Sequence, residues 1–253
     1  MNKEIKYTKE FYDLDDNVKR YGQAIDNVGL WNSEKIMFEK YIKKSDNILD
    51  IGCGAGRTTI NLYKLGYTNI IGVDLSTNLI DYARNYIKEN NLNIEFKNED
   101  ATNLEYENNS FDVVIFSYNG MQCIPGKKNR DNVLKEVYRV LKPGGIYIFT
   151  AHNRDDSGKF QHVWEEEKIK WEKGVQDEIL EMYGDRYSED RTGRLCFVHF
   201  SNIEEMIDFV HQENFEVLEY KKNTDIAEEN EKTKEFAGNT VFWIVKKRGN
   251  NNG

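Results

Sequence analysis

This 253-residue sequence has only three cysteines and no long hydrophobic run. Cys53, Cys123 and Cys196 are scattered along the chain, and their spacing matches neither a metal site nor a disulfide framework. We therefore expect three reduced thiols and no bound metal. No stretch approaches the ~18–20 apolar residues that a membrane-spanning helix needs, and the N-terminus has no apolar signal core. These absences predict a cytoplasmic protein that does not bind a membrane.

Positive charge is also scarce, since 44 acidic residues outnumber 35 lysines and arginines and the formal net charge is −9. The basic runs at residues 127–128 and 246–248 are short and far apart in sequence. Because this average charge would repel a polyanion, the sequence disfavours a nucleic-acid partner. Hydrophobic residues make up 39% of the chain, which predicts a folded protein, and we expect a monomer or a homodimer.

Short apolar runs alternate with segments of helical periodicity between residues 47 and 150. Strands separated by helices of this length form βαβ units and a mainly parallel sheet with helices on both faces. Two later runs, at residues 215–220 and 240–246, predict two strands paired antiparallel at one edge of the sheet. The predicted fold class is therefore α/β, a doubly wound, mainly parallel seven-stranded sheet with an antiparallel edge strand. The five earlier runs are residues 47–52, 69–74, 93–98, 111–118 and 146–150.

Local signals predict several element boundaries. Ser76 is placed to cap the helix after the second strand. Residues 143–145, Pro-Gly-Gly, are predicted to separate a helix from a fifth strand that begins at Ile146. Ser201 and Glu204 have the spacing of a capping box at the start of a later helix.

Two segments lie outside the predicted core, which comprises residues 46–152 and 201–248. Residues 1–45 have helical periodicity. Residues 153–200 are rich in charge and too long for a simple connection, so we predict a helical cap inserted into the core. The tail, residues 249–253, is expected to be disordered.

Three glycines, Gly52, Gly54 and Gly56, stand at every second position between the first strand and the next helix. Glycine lets the backbone turn tightly and approach a ligand closely, and the helix N-terminus offers unpaired N–H groups. Dinucleotide-binding loops favour G-x-G-x-x-G, whereas the spacing here is G-x-G-x-G. Asp50, two residues before the first glycine, would repel a pyrophosphate but suits a ligand with an ammonium group. S-adenosylmethionine (SAM) has an ammonium group and a cationic sulfur.

Two more acids follow successive strands. Asp74 ends the second strand, where a carboxylate can accept hydrogen bonds from both ribose hydroxyls. Asp100, followed by Ala101, lies just beyond the third strand, and its carboxylate is placed to accept a hydrogen bond from an adenine amino group. With the glycine loop, these acids predict an adenosyl ligand at the carboxyl ends of the strands.

Five motifs together resemble the class I SAM-dependent methyltransferases of the small-molecule type. They are LDIGCGAGRTT, GVDLS, EDA, FDVVIFSYNGMQCI and EVYRVLKPGGIYIF, and they cover roughly residues 45–150. The resemblance implies the Rossmann-like fold of that family, SAM as the cofactor and S-adenosylhomocysteine as the product. It also implies that residues 1–45 lie over the cofactor. The charged segment 153–200 is expected to bind the acceptor, with a protein-docking surface as the alternative. The residues that the resemblance assigns to cofactor binding are Tyr12, Tyr21, Asp50, Gly52, Cys53, Gly54, Gly56, Asp74, Leu75, Asp100, Ala101 and Ser117.

The acceptor is less well defined by these residues. The fourth strand ends in Ser-Tyr-Asn-Gly, not in the Asn/Asp-Pro-Pro-Tyr motif of members that methylate amide or base nitrogens, and no Pro-Cys pair offers a nucleophile for cytosine C5 chemistry. We therefore expect methyl transfer to an O, N or S atom of a small molecule. His152, whose ring titrates near neutral pH, and Tyr118 are the catalytic candidates. Gln122 and Trp164 are the candidates for acceptor binding.

Three other functions stay open at this point. An oxidoreductase that uses a nicotinamide cofactor is disfavoured by the loop spacing and by Asp50. A SAM-binding protein without catalysis would carry the same motifs, because these report binding and not turnover. An RNA or protein methyltransferase is disfavoured by the net charge and by the motif at the end of the fourth strand.

Overall fold

The computed structural model describes residues 3–156, 158, 161–189, 195–236 and 238–249. Nine strands occur in these residues, seven of them in a central sheet and two in a separate hairpin. The strands are β1 (Ile48–Ile51), β2 (Ile70–Asp74), β3 (Glu95–Asn98), β4 (Phe111–Phe116), β5 (Leu141–Ala151), β6 (Asp185–Glu189), β7 (Leu195–His199), β8 (Phe215–Lys222) and β9 (Val241–Lys247).

Helices fill the connections and the N-terminal segment, which contains three of them, as its periodicity predicts. Within the described ranges, no helix has the length and apolar character needed to cross a membrane. The helices are α1 (Lys3–Tyr12), α2 (Asp15–Asn27), α3 (Asn32–Tyr41), α4 (Arg57–Lys64), α5 (Thr77–Glu89), α6 (Lys127–Val140), α7 (Gln161–Lys173), α8 (Ile203–His211), α9 (Asn223–Ile226) and α10 (Glu231–Phe236), with 3₁₀ turns at Gly120–Cys123 and Arg154–Asp156.

The central sheet has the spatial order β3-β2-β1-β4-β5-β9-β8. β1 pairs parallel with β2 and β4, so that Ile48 lies opposite Ile70 on one side and Val113 on the other. β9 runs antiparallel to both β5 and β8, which makes the last two strands an antiparallel pair at one edge. The predicted fold class is confirmed. Because β1, β2 and β4 are parallel, the residues that follow them meet at one end of the sheet.

Helices pack on both faces of this sheet. Val137 of α6 and Val210 of α8 belong to one buried cluster with the strands. Phe38 of α3 and Leu62 of α4 belong to another, together with Phe242 of β9. Burial on both faces explains why the parallel strands are nearly continuous apolar runs in the sequence.

β5 begins earlier than predicted. α6 ends at Val140 and β5 follows directly at Leu141, so residues 143–145 lie inside the strand and the predicted start at Ile146 is wrong. The pairing with β4 shifts in register across this stretch. Gly144 has a φ of +79°, a conformation that lets the extra residues form a bulge instead of a break.

The capping box of α8 lies one residue later than predicted. The Asn202 side chain accepts a hydrogen bond from the N–H of Glu205 at 2.9 Å, and the Glu205 carboxylate accepts one from the N–H of Asn202 at 3.0 Å. The predicted pair, Ser201 and Glu204, is wrong because the Ser201 carbonyl is held elsewhere and accepts a hydrogen bond from the N–H of Arg154 at 2.9 Å. The N-cap of α8 is therefore Asn202, one residue after this hydrogen bond.

The segment 153–200 is helical only in part. α7 lies within it, but β6 and β7 form an antiparallel hairpin in which Tyr187 lies opposite Phe197. The apolar run Leu195–His199 forms β7. β6 was not predicted, because its sequence, DRYSE, has a single apolar side chain and no alternation. The insertion is therefore a helix followed by a β-hairpin.

Residues 250–253 of the predicted disordered tail lie outside the described residues. The connection between β8 and β9 carries α9 and α10 and is tied to the N-terminal segment. Glu229, between these helices, is buried and accepts hydrogen bonds from the N–H groups of Asn32 at 2.8 Å and Ser33 at 2.9 Å. This tie brings α10 to the same end of the sheet as the glycine loop.

Candidate active site

The glycine loop turns tightly between β1 and α4. Gly52, Gly54 and Gly56 have φ angles of +61°, +58° and +89°, in the left-handed region that favours glycine. A Cβ at Gly52 would lie 2.3 Å from the Phe116 ring, whereas a Cβ at Gly54 would have no neighbour nearer than Leu79, at 4.0 Å. The loop therefore packs against β4 at its first glycine and leaves open space at its second.

A cavity, here called the glycine-loop cavity, opens where this loop meets the ends of β2 and β4. Gly56 lies outside its wall, and a Cβ there would lie 2.7 Å from the Phe96 ring, so Gly56 permits close packing against β3. All the other predicted cofactor residues line the cavity: Tyr12, Tyr21, Asp50, Gly52, Cys53, Gly54, Asp74, Leu75, Asp100, Ala101 and Ser117.

Asp50 presents an unsatisfied carboxylate oxygen. The residue is 1% exposed, and its Oδ2 accepts a hydrogen bond from the Thr59 hydroxyl at 2.6 Å. Its buried Oδ1 has no hydrogen-bond partner among the residues that the structure describes. Burial raises the pKa of this carboxyl to about 7. A buried acceptor without a donor is costly, and a cationic donor would remove that cost most effectively.

Asp74 ends β2 with its carboxylate facing the loop. Its Oδ2 accepts a hydrogen bond from the N–H of Gly54 at 2.8 Å, and its Oδ1 accepts one from the N–H of Ser76 at 2.8 Å. Desolvation raises the pKa of Asp74 to about 6. Because an ionised carboxylate has about four acceptor positions, this group has capacity left for two hydroxyl donors.

Asp100 follows β3 and is held by a local turn. Its Oδ1 accepts hydrogen bonds from the N–H of Thr102 at 2.9 Å and from the Thr102 hydroxyl at 2.8 Å. This turn keeps the carboxyl at the wall of the cavity, beside Ala101. The three acids predicted from separate strand ends therefore line one cavity.

Helix α1 lies across this cavity. Asp13, at its end, accepts hydrogen bonds from the Ser76 hydroxyl at 2.6 Å and from the N–H of Asn78 at 3.1 Å, which ties α1 to the start of α5. Its cavity-lining residues share one helical face. This spacing is the sequence signal for Ile5, Thr8 and Lys9, which were not predicted. The α1 residues in the wall are Ile5, Thr8, Lys9 and Tyr12.

Arg57, the first residue of α4, also lines the cavity and was not predicted. Its guanidinium forms a bidentate ion pair with Glu34 of α3, both N–O distances being 2.7 Å, and donates a further hydrogen bond to the carbonyl of Gly29 at 2.7 Å. Arg57 and Glu34 are both buried. This pair joins the N-terminal segment to the glycine loop.

Tyr118 lines the cavity in a sparsely populated backbone conformation, with φ +55°. Its ring stacks on Phe236 of α10 at a centroid distance of 4.7 Å, and its hydroxyl donates a hydrogen bond to the Phe236 carbonyl at 2.7 Å. Burial raises the pKa of this phenol. Tyr118 is therefore placed to shape the wall, and its geometry does not support the predicted catalytic role.

His152 lies outside the wall of the glycine-loop cavity. Nδ1 lies 3.1 Å from the Asn239 carbonyl oxygen, so it carries the proton and donates, and Nε2 then accepts from the Asn119 side-chain amide at 3.1 Å. Burial lowers the pKa of this imidazole. Both nitrogens of a neutral ring are engaged, so the geometry does not support His152 as a general base.

The two residues predicted to bind the acceptor also make other contacts. The Gln122 side chain pairs with the backbone of His152, accepting from its N–H at 2.6 Å and donating to its carbonyl at 3.0 Å. Trp164 is buried and packs against Tyr183 and Phe200. Position after a strand, or on a cap helix, places a residue near the rim but does not decide where its side chain points.

The glycine-loop cavity suits a ligand with one cationic end and several hydrogen-bond donors. Asp50 offers an unpartnered oxygen, Asp74 has spare acceptor capacity, and Gly54 leaves open space beside both. SAM carries an ammonium group, ribose hydroxyls and an adenine amino group, so the residues present fit it. In the part of the chain that the structure describes, no group of three or more His, Cys, Asp or Glu side chains is arranged to hold a metal ion.

Comparisons with known proteins agree with this geometry. A methyltransferase domain family matches residues 48–145. The chain is 38% identical over 146 residues to the demethylmenaquinone methyltransferase of Lactobacillus johnsonii, over 54% of this chain and 58% of that protein. It is 32% identical over 163 residues to the demethylmenaquinone methyltransferase of Staphylococcus saprophyticus, over 62% of this chain and 68% of that protein. The matched region thus spans somewhat more than half of each relative.

A solved structure shares the fold. The SAM-dependent methyltransferase from Methanosarcina mazei superposes with a TM-score of 0.68 at 22% identity, over 87% of this chain and 99% of that one. At this identity the likeness shows the Rossmann-like fold, and the sequence relatives show the family. The chain accordingly belongs to the SAM-dependent methyltransferase family, whose cofactor is SAM.

Proposed function

We propose that the chain transfers the methyl group of SAM to an O, N or S atom of a small-molecule acceptor. One observation carries this choice: α1 lies across the glycine-loop cavity that Asp50 and Asp74 also line. A methyl donor covered by a helix leaves room for a small acceptor beside it, whereas the surface of an RNA or a folded protein would have to displace the helix. The names of the two relatives, demethylmenaquinone methyltransferases, support an acceptor of this size.

The chain's own residues supply binding and orientation. Asp50 holds the ammonium group, Asp74 accepts hydrogen bonds from the ribose hydroxyls, and Asp100 accepts one from the adenine amino group. When bound, SAM supplies a methyl group on a positively charged sulfur, whose departure as a neutral thioether needs little help. Tyr12 and Tyr21 in the wall exclude water from the donor.

The remaining task is alignment of the acceptor. Its O, N or S atom would take the methyl group by direct displacement, SAM would leave as the neutral thioether with the electrons of the broken carbon–sulfur bond, and a proton on the acceptor atom would pass to water. Holding the acceptor atom in line with the methyl group accounts by itself for a large part of the lowering of the activation barrier. Neither predicted catalytic residue is assigned to this step, because no histidine lines the glycine-loop cavity among the described residues and the Tyr118 hydroxyl donates to the Phe236 carbonyl.

Three further expectations belong to the same proposal. They are a cytoplasmic location, a monomer or homodimer, and no nucleic-acid substrate. The net charge of −9 favours the last of these.

The proposal is tested with SAM carrying a tritiated methyl group. One cell extract is divided into metabolite, RNA and protein fractions, and each is incubated with the purified chain. We expect label in the metabolite fraction and none with the Asp74→Asn variant. Label in the RNA or protein fraction would support a macromolecular methyltransferase, and SAM binding without label in any fraction would support a non-catalytic SAM-binding protein.

A further inference from the structure

A second cavity, here called the aromatic cavity, lies between α1, the 3₁₀ turn after β4 and the β6–β7 hairpin. Its volume is about 590 Å³, within the ~300–1,000 Å³ of cavities that hold small-molecule ligands. Five aromatic rings contribute to its wall: Tyr7, Phe11 and Tyr12 from α1, and Tyr187 and Phe197 from the hairpin.

The aromatic cavity adjoins the glycine-loop cavity. Thr8, Tyr12, Cys123 and Pro125 line both. α1 therefore presents residues to each cavity, and Tyr12 stands between them. A molecule in the aromatic cavity lies directly beside a ligand in the glycine-loop cavity.

The wall of the aromatic cavity is uncharged. None of the described lining residues is an acid, a lysine, an arginine or a histidine. Burial also raises the pKa of Cys123 to about 11, so this thiol stays neutral. The cost of desolvating an ion is large unless a counter-charge or hydrogen bonds replace water, and this wall offers no counter-charge. Aromatic rings instead favour flat apolar groups, which they contact by stacking and edge-to-face packing.

We propose that the aromatic cavity holds the methyl acceptor and that the acceptor is an uncharged molecule with a flat aromatic or fused-ring body. This inference rests on the proposed function, because the adjoining cavity must hold the methyl donor. The rings of α1 and of the β6–β7 hairpin pack against the two faces of the acceptor. The acceptor atom then points past Tyr12 towards the glycine-loop cavity.

The mouth of the aromatic cavity provides a variant and a matched control. Ile179 lines the cavity and is 56% exposed, so Ile179→Glu adds a negative charge at the mouth without disturbing the core. Val175 is 64% exposed in the same connection after α7 and lies outside the walls of both cavities. Val175→Glu adds the same charge on the same segment.

The test uses three probes that share one fused ring and differ in charge. They are 2-naphthol (neutral), 2-naphthoate (anionic) and 2-naphthylmethylammonium (cationic), titrated by calorimetry with and without S-adenosylhomocysteine. We expect 2-naphthol to bind at least tenfold more tightly than either ion. Ile179→Glu should weaken 2-naphthol binding at least fivefold, while Val175→Glu leaves it unchanged and both variants bind S-adenosylhomocysteine like the unmodified protein.

The outcomes separate this inference from the proposed function. Binding of S-adenosylhomocysteine without binding of 2-naphthol, or tighter binding of either ion, would overturn the inference alone. Equal 2-naphthol binding by Ile179→Glu and the unmodified protein would overturn the location. Failure to bind S-adenosylhomocysteine would overturn the proposed function, and the titrations without it would still decide the chemistry of the aromatic cavity.

Discussion

The glycine-loop cavity and the aromatic cavity differ in how the chain builds them. The acids and glycines of the first lie within a few residues of the ends of β1, β2 and β3, and several are held by the backbone: Asp74, for example, accepts from the N–H groups of Gly54 and Ser76. The second is assembled from side chains of α1, the turn after β4 and the β6–β7 hairpin, which are distant in sequence. A site fixed by backbone geometry constrains its sequence locally, whereas a site made by packing distant side chains does not.

The largest expected effect is on stability and concerns the buried ion pair between Arg57 of α4 and Glu34 of α3. Glu34→Ala leaves the Arg57 guanidinium buried without its carboxylate, and we expect the free energy of unfolding to fall by about 3–5 kcal/mol. Urea unfolding followed by circular dichroism measures this change. Glu10→Ala, which removes an exposed pair with Lys6, should cost less than about 1 kcal/mol. Equal effects of the two variants would show that α3 does not depend on this pair.

A second variant tests whether Asp50 holds a cation. Asp50→Asn keeps the shape of the side chain but removes its charge, so we expect SAM to bind about 10- to 100-fold more weakly, the loss typical of a hydrogen bond to a charged group. Asp81→Asn, an identical change at an exposed site, should leave the affinity unchanged. Calorimetric titration of both variants with SAM measures the difference. An unchanged affinity of Asp50→Asn would place the ammonium group elsewhere.

The pH dependence of SAM binding tests the same carboxyl. Because burial raises the pKa of Asp50 to about 7, the free protein is largely protonated there at pH 6 and ionised at pH 7.5. An ammonium group favours the ionised form, so we expect affinity to rise from pH 5.5 to 7.5, by roughly tenfold for each unit below 7. This range lies below the ~7.7–8.0 at which an α-amino group loses its proton.

The matched control for this pH profile is Asp50→Asn, whose affinity for SAM should change less with pH.

The raised pKa of Asp50 also affects the stability of the protein without ligand, because the folded state binds the proton more tightly than the unfolded chain. The contribution of Asp50 to the free energy of unfolding therefore falls as pH rises from about 4 to 7. SAM affinity that does not change between pH 5.5 and 7.5 would contradict the link between Asp50 and the ligand.

The smallest effect is expected at His152. Its ring is engaged by Asn119 and Asn239 away from the glycine-loop cavity, so His152→Asn should lower the rate of methyl transfer by less than about tenfold, against ~10²–10⁴-fold for the loss of a general base. The rate is measured against pH with the acceptor fraction found above. A hundredfold fall in the rate of methyl transfer, or a rate that no longer depends on pH, would support His152 as the general base.

The sequence predicted more of the glycine-loop cavity than of any other feature. Asp50, Asp74 and Asp100 lie in or just after the ends of predicted strands and line one cavity, and Ser76 caps α5 by accepting from the N–H of Leu79, as predicted. Arg57 was not predicted, because its partner Glu34 comes from another segment and no local pattern links the two.

Other predictions were incomplete for a related reason. β6 carries no apolar alternation, so only its pairing with β7 reveals it as a strand. His152 and Gln122 follow their strands as predicted, but neither residue lines the glycine-loop cavity. The Gln122 side chain bonds to the His152 backbone, and the His152 ring bonds to Asn119 and Asn239. Strand position follows from the chain, whereas side-chain direction follows from what packs around it.

The sequence by itself determined the alternation of strands and helices between residues 47 and 150, the glycine loop and the acids at the strand ends. These features depend on backbone conformation and burial over a few neighbouring residues, and such short-range requirements leave visible patterns. Only the tertiary structure decided that Ile5, Thr8 and Lys9 of α1 line the glycine-loop cavity, that Arg57 pairs with Glu34, and that α1 and the β6–β7 hairpin enclose an uncharged aromatic cavity. These features join residues far apart in the chain, and such contacts form only when the whole fold brings their side chains together.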